Sequence, residues 1–167
     1  MDTQRTTERT IAEWLTREHP MPEQVWTEWA TMGVALVPLG RRFAAVRMHA
    51  DIVHAAVDSD DPSQVAERIR ALLPGPIVHD RRVSGVTYYA LIPRHSDLVW
   101  VHDEVAPCLG PGVYLGVPRI DRREPPGTYW VTVPRHNGDL CAPQAVADLV
   151  EVGRQRLARL AELRSDE

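Results

Sequence analysis

Two short apolar runs and the turn between them decide the fold class of this chain: residues 34–48 read Val-Ala-Leu-Val-Pro-Leu-Gly-Arg-Arg-Phe-Ala-Ala-Val-Arg-Met. The runs are Val34 to Leu39 and Phe43 to Met48, and Gly40-Arg41-Arg42 separates them. Short apolar segments on either side of a glycine-containing turn are typical of paired β-strands. We therefore predict a β-hairpin with a three-residue loop.

Helices are predicted on the N-terminal side of this hairpin. Ile11, Trp14 and Leu15 share one helical face, and Pro20 ends that helix because the residue before a proline avoids the α conformation. A second helix begins at Pro22, a favoured first-turn position. Its apolar stripe suits burial, and Gly33 suits its C-terminal cap; the stripe consists of Val25, Trp26, Trp29 and Met32.

The region after the hairpin alternates between helical and strand-like patterns. One or two helical turns are predicted at residues 50–57, and Asp61 followed by Pro62 marks the start of another helix, which Pro74-Gly75-Pro76 ends. Residues 98–101 form either a further strand or a connection. Short runs bounded by glycine and proline predict the strands, at residues 77–79, 86–92, 112–117 and 128–133.

A long helix is predicted at residues 143–163. Helices at both ends with strands between them indicate an α+β fold, with a central mostly antiparallel or mixed sheet flanked by helices. We predict a single domain over 1–167, with N-terminal helices (1–33), an α/β core (34–134) and the C-terminal helix. That helix is more apolar than a surface stripe requires, so it either packs on the sheet or pairs with a second copy of the chain. The candidate homodimer interface is Val146, Leu149, Val150, Leu157 and Leu160.

Composition narrows the function. The chain has 167 residues and a formal charge of −4, and its 19 basic residues are all arginine. This balance argues against a protein that coats nucleic acid, although local arginine clusters can still bind phosphate. The absence of lysine excludes a P-loop nucleotide-binding motif.

No secretory signal or membrane-spanning segment is recognisable, so a cytoplasmic location is predicted. The two cysteines, Cys108 and Cys141, are expected to be free thiols. No cofactor is predicted.

Catalytic and metal-binding patterns are weak. His49, Asp51 and His54 contain metal-ligating side chains, but the spacing of the two histidines differs from the i, i+4 pair of helical zinc motifs. His79-Asp80 at a strand end is a candidate acid–base pair for an unrecognised hydrolase. Neither cysteine lies in a nucleophile motif. We predict no metal site and no catalytic residue.

Arginine residues at the predicted strand ends, together with tyrosines on the strands, form the main candidate binding surface. Aromatic rings stack on bases and arginines contact phosphate in proteins that bind single strands. The candidate residues for nucleic-acid or nucleotide binding are Arg41, Arg42, Arg47, Arg81, Arg82 and Tyr88.

Three stretches resemble the N-terminal domain of bifunctional DNA primase/polymerases, the prim-pol branch of the archaeo-eukaryotic primase superfamily. They are Gly33 to Gly40, the segment Gly75 to Pro93 with its Ser84-Gly85 turn, and Gly110 to Pro118 with Pro126-Gly127-Thr-Tyr-Trp130. Actinobacterial proteins of this size look more similar still. The resemblance implies a primase/polymerase-like sheet with a ligand pocket.

The catalytic residues of that family have no counterparts at the matching positions. Family members use an Asp-x-Asp pair, a Ser-x-His and a later Asp, with two divalent ions. The matching strand here, Phe43 to Met48, has no carboxylate, and Val86 to Tyr88 and Ala106 to Cys108 stand at the other positions. We therefore expect a non-catalytic binding or regulatory module that acts through protein–protein contacts, including homodimer formation. Nucleic-acid or nucleotide binding and hydrolase activity stay open as alternatives.

Overall fold

The computed structural model describes residues 2–166, and its helices agree closely with the sequence signals. Proline occupies the first turn of three of the helices, where its missing N–H is not needed. Gly33 ends the second helix in the left-handed conformation at φ 74°. The helices are α1 (Asp2–Thr16), α2 (Pro22–Met32), α3 (Ala50–Val57), α4 (Pro62–Leu72) and α5 (Pro143–Ser165).

The strands form two antiparallel sheets. The larger sheet has the order β5-β2-β4-β3-β7, and the smaller one pairs β1 with β6. The strands are β1 (Val34–Pro38), β2 (Phe43–His49), β3 (Ile77–Arg82), β4 (Gly85–Pro93), β5 (Cys108–Leu109), β6 (Tyr114–Pro118) and β7 (Tyr129–Thr132). The predicted α+β class is confirmed.

The predicted hairpin between β1 and β2 is wrong. The chain does turn there, and the N–H of Gly40 donates to the carbonyl of Phe43. However, β4 and β5 occupy both edges of β2, so β1 has no edge of β2 to join. β1 instead pairs with β6, from Val34 opposite Pro118 to Pro38 opposite Tyr114.

The larger sheet lies between two apolar cores. One face packs against α3, α4 and α5 through residues such as Val46 and Ile92, and the other packs against α1, α2 and the small sheet through residues such as Phe43 and Leu91. Successive residues of a strand point to opposite faces, so each strand contributes to both cores. Side chains that bind a ligand could therefore lie on either face of the sheet.

The N-terminal half of α5 belongs to the core of its own chain. Val146, Leu149 and Val150 are 0%, 5% and 0% exposed, so the structure removes them from the predicted dimer interface. Leu160 is 48% exposed, and residues 158–166 of α5 and its end are all exposed. Of the five predicted interface residues, Leu157 and Leu160 are the two that are not buried.

The structure decides between the two alternatives for residues 98–101. Residues 96–98 form a 3₁₀ turn followed by a loop, so this segment is a connection and not a strand. β5 was missed, because two residues are too few to show a period. None of the helices within residues 2–166 combines the length and the apolar character that a membrane span needs.

Candidate ligand-binding site

One end of the larger sheet leaves a polar concave surface on the face that packs α1 and α2. Arg47 on β2 lies opposite Tyr89 on β4, and His49 on β2 and Asp80 on β3 both lie opposite Thr87 of β4. Alternation along each strand therefore places these side chains on the same face. They line a cavity of about 440 Å³, which Arg82 and Glu104 also line. We call this cavity the polar cradle.

Two hydrogen bonds hold the Asp80 carboxylate in the polar cradle. Oδ2 of Asp80 accepts from Nε of Arg82 at 2.9 Å, and Oδ1 accepts from the Thr128 hydroxyl at 2.8 Å. The Arg82 side chain is still 70% exposed, so its terminal amino groups face solvent. A guanidinium has five N–H donors, and the bond to Asp80 uses one of them. Arg82 is thus oriented by Asp80 and free to bind a further anion.

The remaining donors of the polar cradle come from neighbouring strands. Burial, together with the charge of Asp80, raises the pKa of Tyr89, so its hydroxyl stays a neutral donor. His49 is the N-cap of α3, and its Nδ1 accepts from the N–H of Asp51 at 3.3 Å. Arg47 is exposed. Two guanidinium groups beside an aromatic ring suit a ligand that carries both phosphate and a flat ring.

The structure separates the arginine residues that the sequence grouped together. Arg41 and Arg42 lie beyond the other end of β2, where the N–H of Arg41 donates to Glu18 and its carbonyl accepts from Arg94. Arg81 lies on the opposite face from Arg82, because adjacent residues of a strand alternate. Of the predicted arginines, only Arg47 and Arg82 enter the polar cradle.

Tyr88 was also predicted to bind, and it is 4% exposed on the opposite face of the sheet. Tyr89, which the prediction did not select, takes its place in the polar cradle. Because side chains alternate along a strand, the sequence could have placed Tyr89 on the same face as Thr87, and Arg47 on the same face as His49. It could not have shown which of the two faces stays open.

The candidate pair His79 and Asp80 is not assembled. The imidazole of His79 stacks on the ring of Tyr129 at 4.4 Å, on the face that packs α3 and α4, whereas Asp80 lies in the polar cradle on the other face. A general base must lie within hydrogen-bond reach of its partner. These two side chains therefore cannot act as a dyad.

The remaining candidates are the metal-ligating side chains and the two cysteines. Within residues 2–166, no three His, Cys, Asp or Glu side chains are placed so that they could hold a metal ion together. Cys108 and Cys141 are free thiols, as predicted. Burial raises the pKa of Cys108 to about 11 and that of Cys141 to about 12, so neither is a reactive thiolate.

Comparisons with known proteins give no relative. No family model matches the chain, and no curated protein and no solved structure shows a significant match. The resemblance to prim-pol domains stays a prediction.

Proposed function

We propose that this protein is a non-catalytic binding domain that holds single-stranded nucleic acid, or a nucleotide, in the polar cradle. The observation that supports this most strongly is that Arg47, which lies opposite Tyr89, and Arg82 line the same cavity as Tyr89. The charges of both arginines act on the Tyr89 hydroxyl. Such a surface combines ring stacking with phosphate contacts, which is how sequence-tolerant single-strand binding works.

The residues on β2 support binding without polymerase chemistry. The resemblance would place metal-binding carboxylates on this strand, and Arg47 and His49 stand on its open face instead. The Arg47 guanidinium there can neutralise phosphate without any divalent ion, but it cannot activate a primer hydroxyl.

The experiment is a titration of fluorescent oligodeoxythymidine, about a dozen nucleotides long, followed by anisotropy at about 50 mM salt. Arg47→Gln and Arg82→Gln are each expected to weaken binding about tenfold or more, since a charged hydrogen bond contributes about 1.5–3 kcal/mol. Glu104→Gln is expected to tighten binding, because it removes a carboxylate from the cradle.

Two matched controls remove the same charge elsewhere. The controls are Arg42→Gln and Arg159→Gln. Arg42 lies beyond the other end of β2, and Arg159 lies on the exposed end of α5. Both are expected to bind almost like the wild type. Equal losses in all four arginine variants would indicate non-specific attraction and would overturn the proposal, as would the absence of binding at low salt.

A protein partner is the second candidate function, and the exposed end of α5 favours it. The stripe Val146, Val150 and Gly153, which packs inside the domain, continues at the same spacing as Leu157 and Leu160. An apolar stripe that continues beyond its own core is typical of a helix that contacts another chain. Sedimentation of the purified protein tests whether that chain is a second copy.

A further inference from the structure

The opposite face of the same sheet end holds a second cavity, of about 490 Å³, with aromatic walls. His79 on β3 lies opposite both Tyr88 on β4 and Tyr129 on β7, so the three rings form a row across the strands. His54 of α3 contacts the edge of Tyr88, with ring centroids 6.4 Å apart. The loop that contains Pro126 contributes another wall. We call this cavity the aromatic pocket.

The rings of the aromatic pocket are held in fixed orientations. His79 stacks on Tyr129 at an interplanar angle of 22° and meets Tyr88 edge-on, at 5.2 Å and 86°. Because these rings contact one another, a planar molecule in the aromatic pocket would lie against the outer surface of the row. The volume lies within the range of ordinary small-molecule sites.

The walls of the aromatic pocket also contain polar side chains. Nδ1 of His79 is buried and has no hydrogen-bond partner among residues 2–166, and an unpartnered buried polar atom costs free energy. Burial raises the pKa of Tyr88 to about 12, with a contribution from Tyr129, so the Tyr88 hydroxyl remains a donor. Burial also lowers the pKa of His79, which favours the neutral imidazole.

The charged residues lie at the edge of the aromatic pocket. Arg81 is exposed at the end of β3 and is the arginine among the lining residues, and Asp60 lies on the α3 side. An anionic group on a bound ring would be attracted by Arg81 and repelled by Asp60. Arg81 therefore favours an anionic ligand, and Asp60 disfavours one.

We infer that the aromatic pocket binds a small planar heteroaromatic molecule that carries an anionic group, with its ring against the row of Tyr88, His79 and Tyr129 and the anion on Arg81. This inference goes beyond the proposed function, because the site lies on the other face of the sheet and shares none of the cradle arginines. Its success or failure is independent of strand binding in the polar cradle.

The test uses two matched pairs of probes: adenosine monophosphate with adenosine, and nicotinate with nicotinamide. Binding is followed by the side-chain nitrogen NMR signals of His79 and by calorimetry. At least one anionic probe is expected to shift the His79 signals and to bind about tenfold or more tightly than its neutral partner. If neither anionic probe moves these signals, the proposal is overturned.

Four variants test whether the probes bind in the aromatic pocket. Arg81→Gln is expected to abolish the preference for the anion, and Asp60→Asn to strengthen it. Tyr129→Leu keeps an apolar wall and is expected to weaken both members of a pair. Arg47→Gln, a cradle variant, is the control and is expected to leave the His79 response unchanged. A response that follows Arg47 and ignores Arg81 would place the probe in the polar cradle and refute the inference.

Discussion

Replacing Gly153 by alanine would push apart α3 and α5. Gly153 lies where α5 crosses α3, and an added Cβ would overlap the carbonyl oxygen of Ile52 and approach its Cγ2 to 2.8 Å. Carbon atoms in favourable contact lie about 3.5–4.0 Å apart. Since a backbone carbonyl cannot rotate away, α3 and α5 would have to separate.

The magnitude follows from two opposing effects. Alanine in a helix interior is more favourable than glycine by about 1 kcal/mol. Overpacking of a tight core costs about 1–3 kcal/mol, and the rigid backbone contact at Ile52 indicates the upper end of that range. We expect Gly153→Ala to lower the free energy of unfolding by about 2 kcal/mol and the melting temperature by about 4–8 °C.

Urea unfolding followed by circular dichroism measures this loss. The control is Ala158→Gly on the exposed part of α5, where no core contact changes and only helix propensity is lost, at about 1 kcal/mol. The crossing also matters for binding, because α3 begins after His49 and carries His54. A Gly153→Ala protein that is as stable as the wild type, or more stable, would refute the close contact.

Three further changes test other parts of the structure. Asp139 is 4% exposed and accepts from Nε, Nη2 and the N–H of Arg135, so Asp139→Asn should cost about 1.5–3 kcal/mol in urea unfolding at neutral pH. Burial alone would raise the pKa of Asp139, but the hydrogen bonds from Arg135 outweigh it and lower the pKa, so the wild-type advantage should fade as the pH falls below about 4, and a constant difference would contradict this. For Glu18, burial raises the pKa against the lowering effect of the amides of residues 41–43, so the stability of the wild type relative to Glu18→Gln should decline as the pH rises above about 4, whereas an increase would contradict the raised pKa. Leu160→Gln should change the unfolding free energy by less than about 0.5 kcal/mol and convert a dimer into a monomer in sedimentation, while a wild type that is already monomeric would remove the homodimer.

The helices could be predicted from the sequence because their signals are local. Pro22, Pro62 and Pro143 each mark a first turn, and Asp61 caps α4 by accepting from the N–H of Gln64. These signals depend on neighbours within one helical turn.

Strand pairing could not be predicted in the same way. β1 is followed at once by a turn and by β2, which favours a hairpin, yet its partner lies at residues 114–118. The competition for the edges of β2 arises only after distant strands have assembled. The candidate site shows the same limit: Arg47 and Arg82 line one cavity because β4 lies between their strands, and no spacing in the sequence encodes that order.

The salt dependence of oligonucleotide binding tests the polar cradle most directly. Each phosphate contact releases counterions, so removing one arginine that contacts phosphate lowers the slope of log affinity against log salt by about 1. If the polar cradle binds phosphate, the double variant Arg47→Gln, Arg82→Gln has a slope about 2 lower than the wild type, and the double variant Arg42→Gln, Arg159→Gln keeps the wild-type slope. A slope that is the same in all three proteins would contradict phosphate binding in the polar cradle.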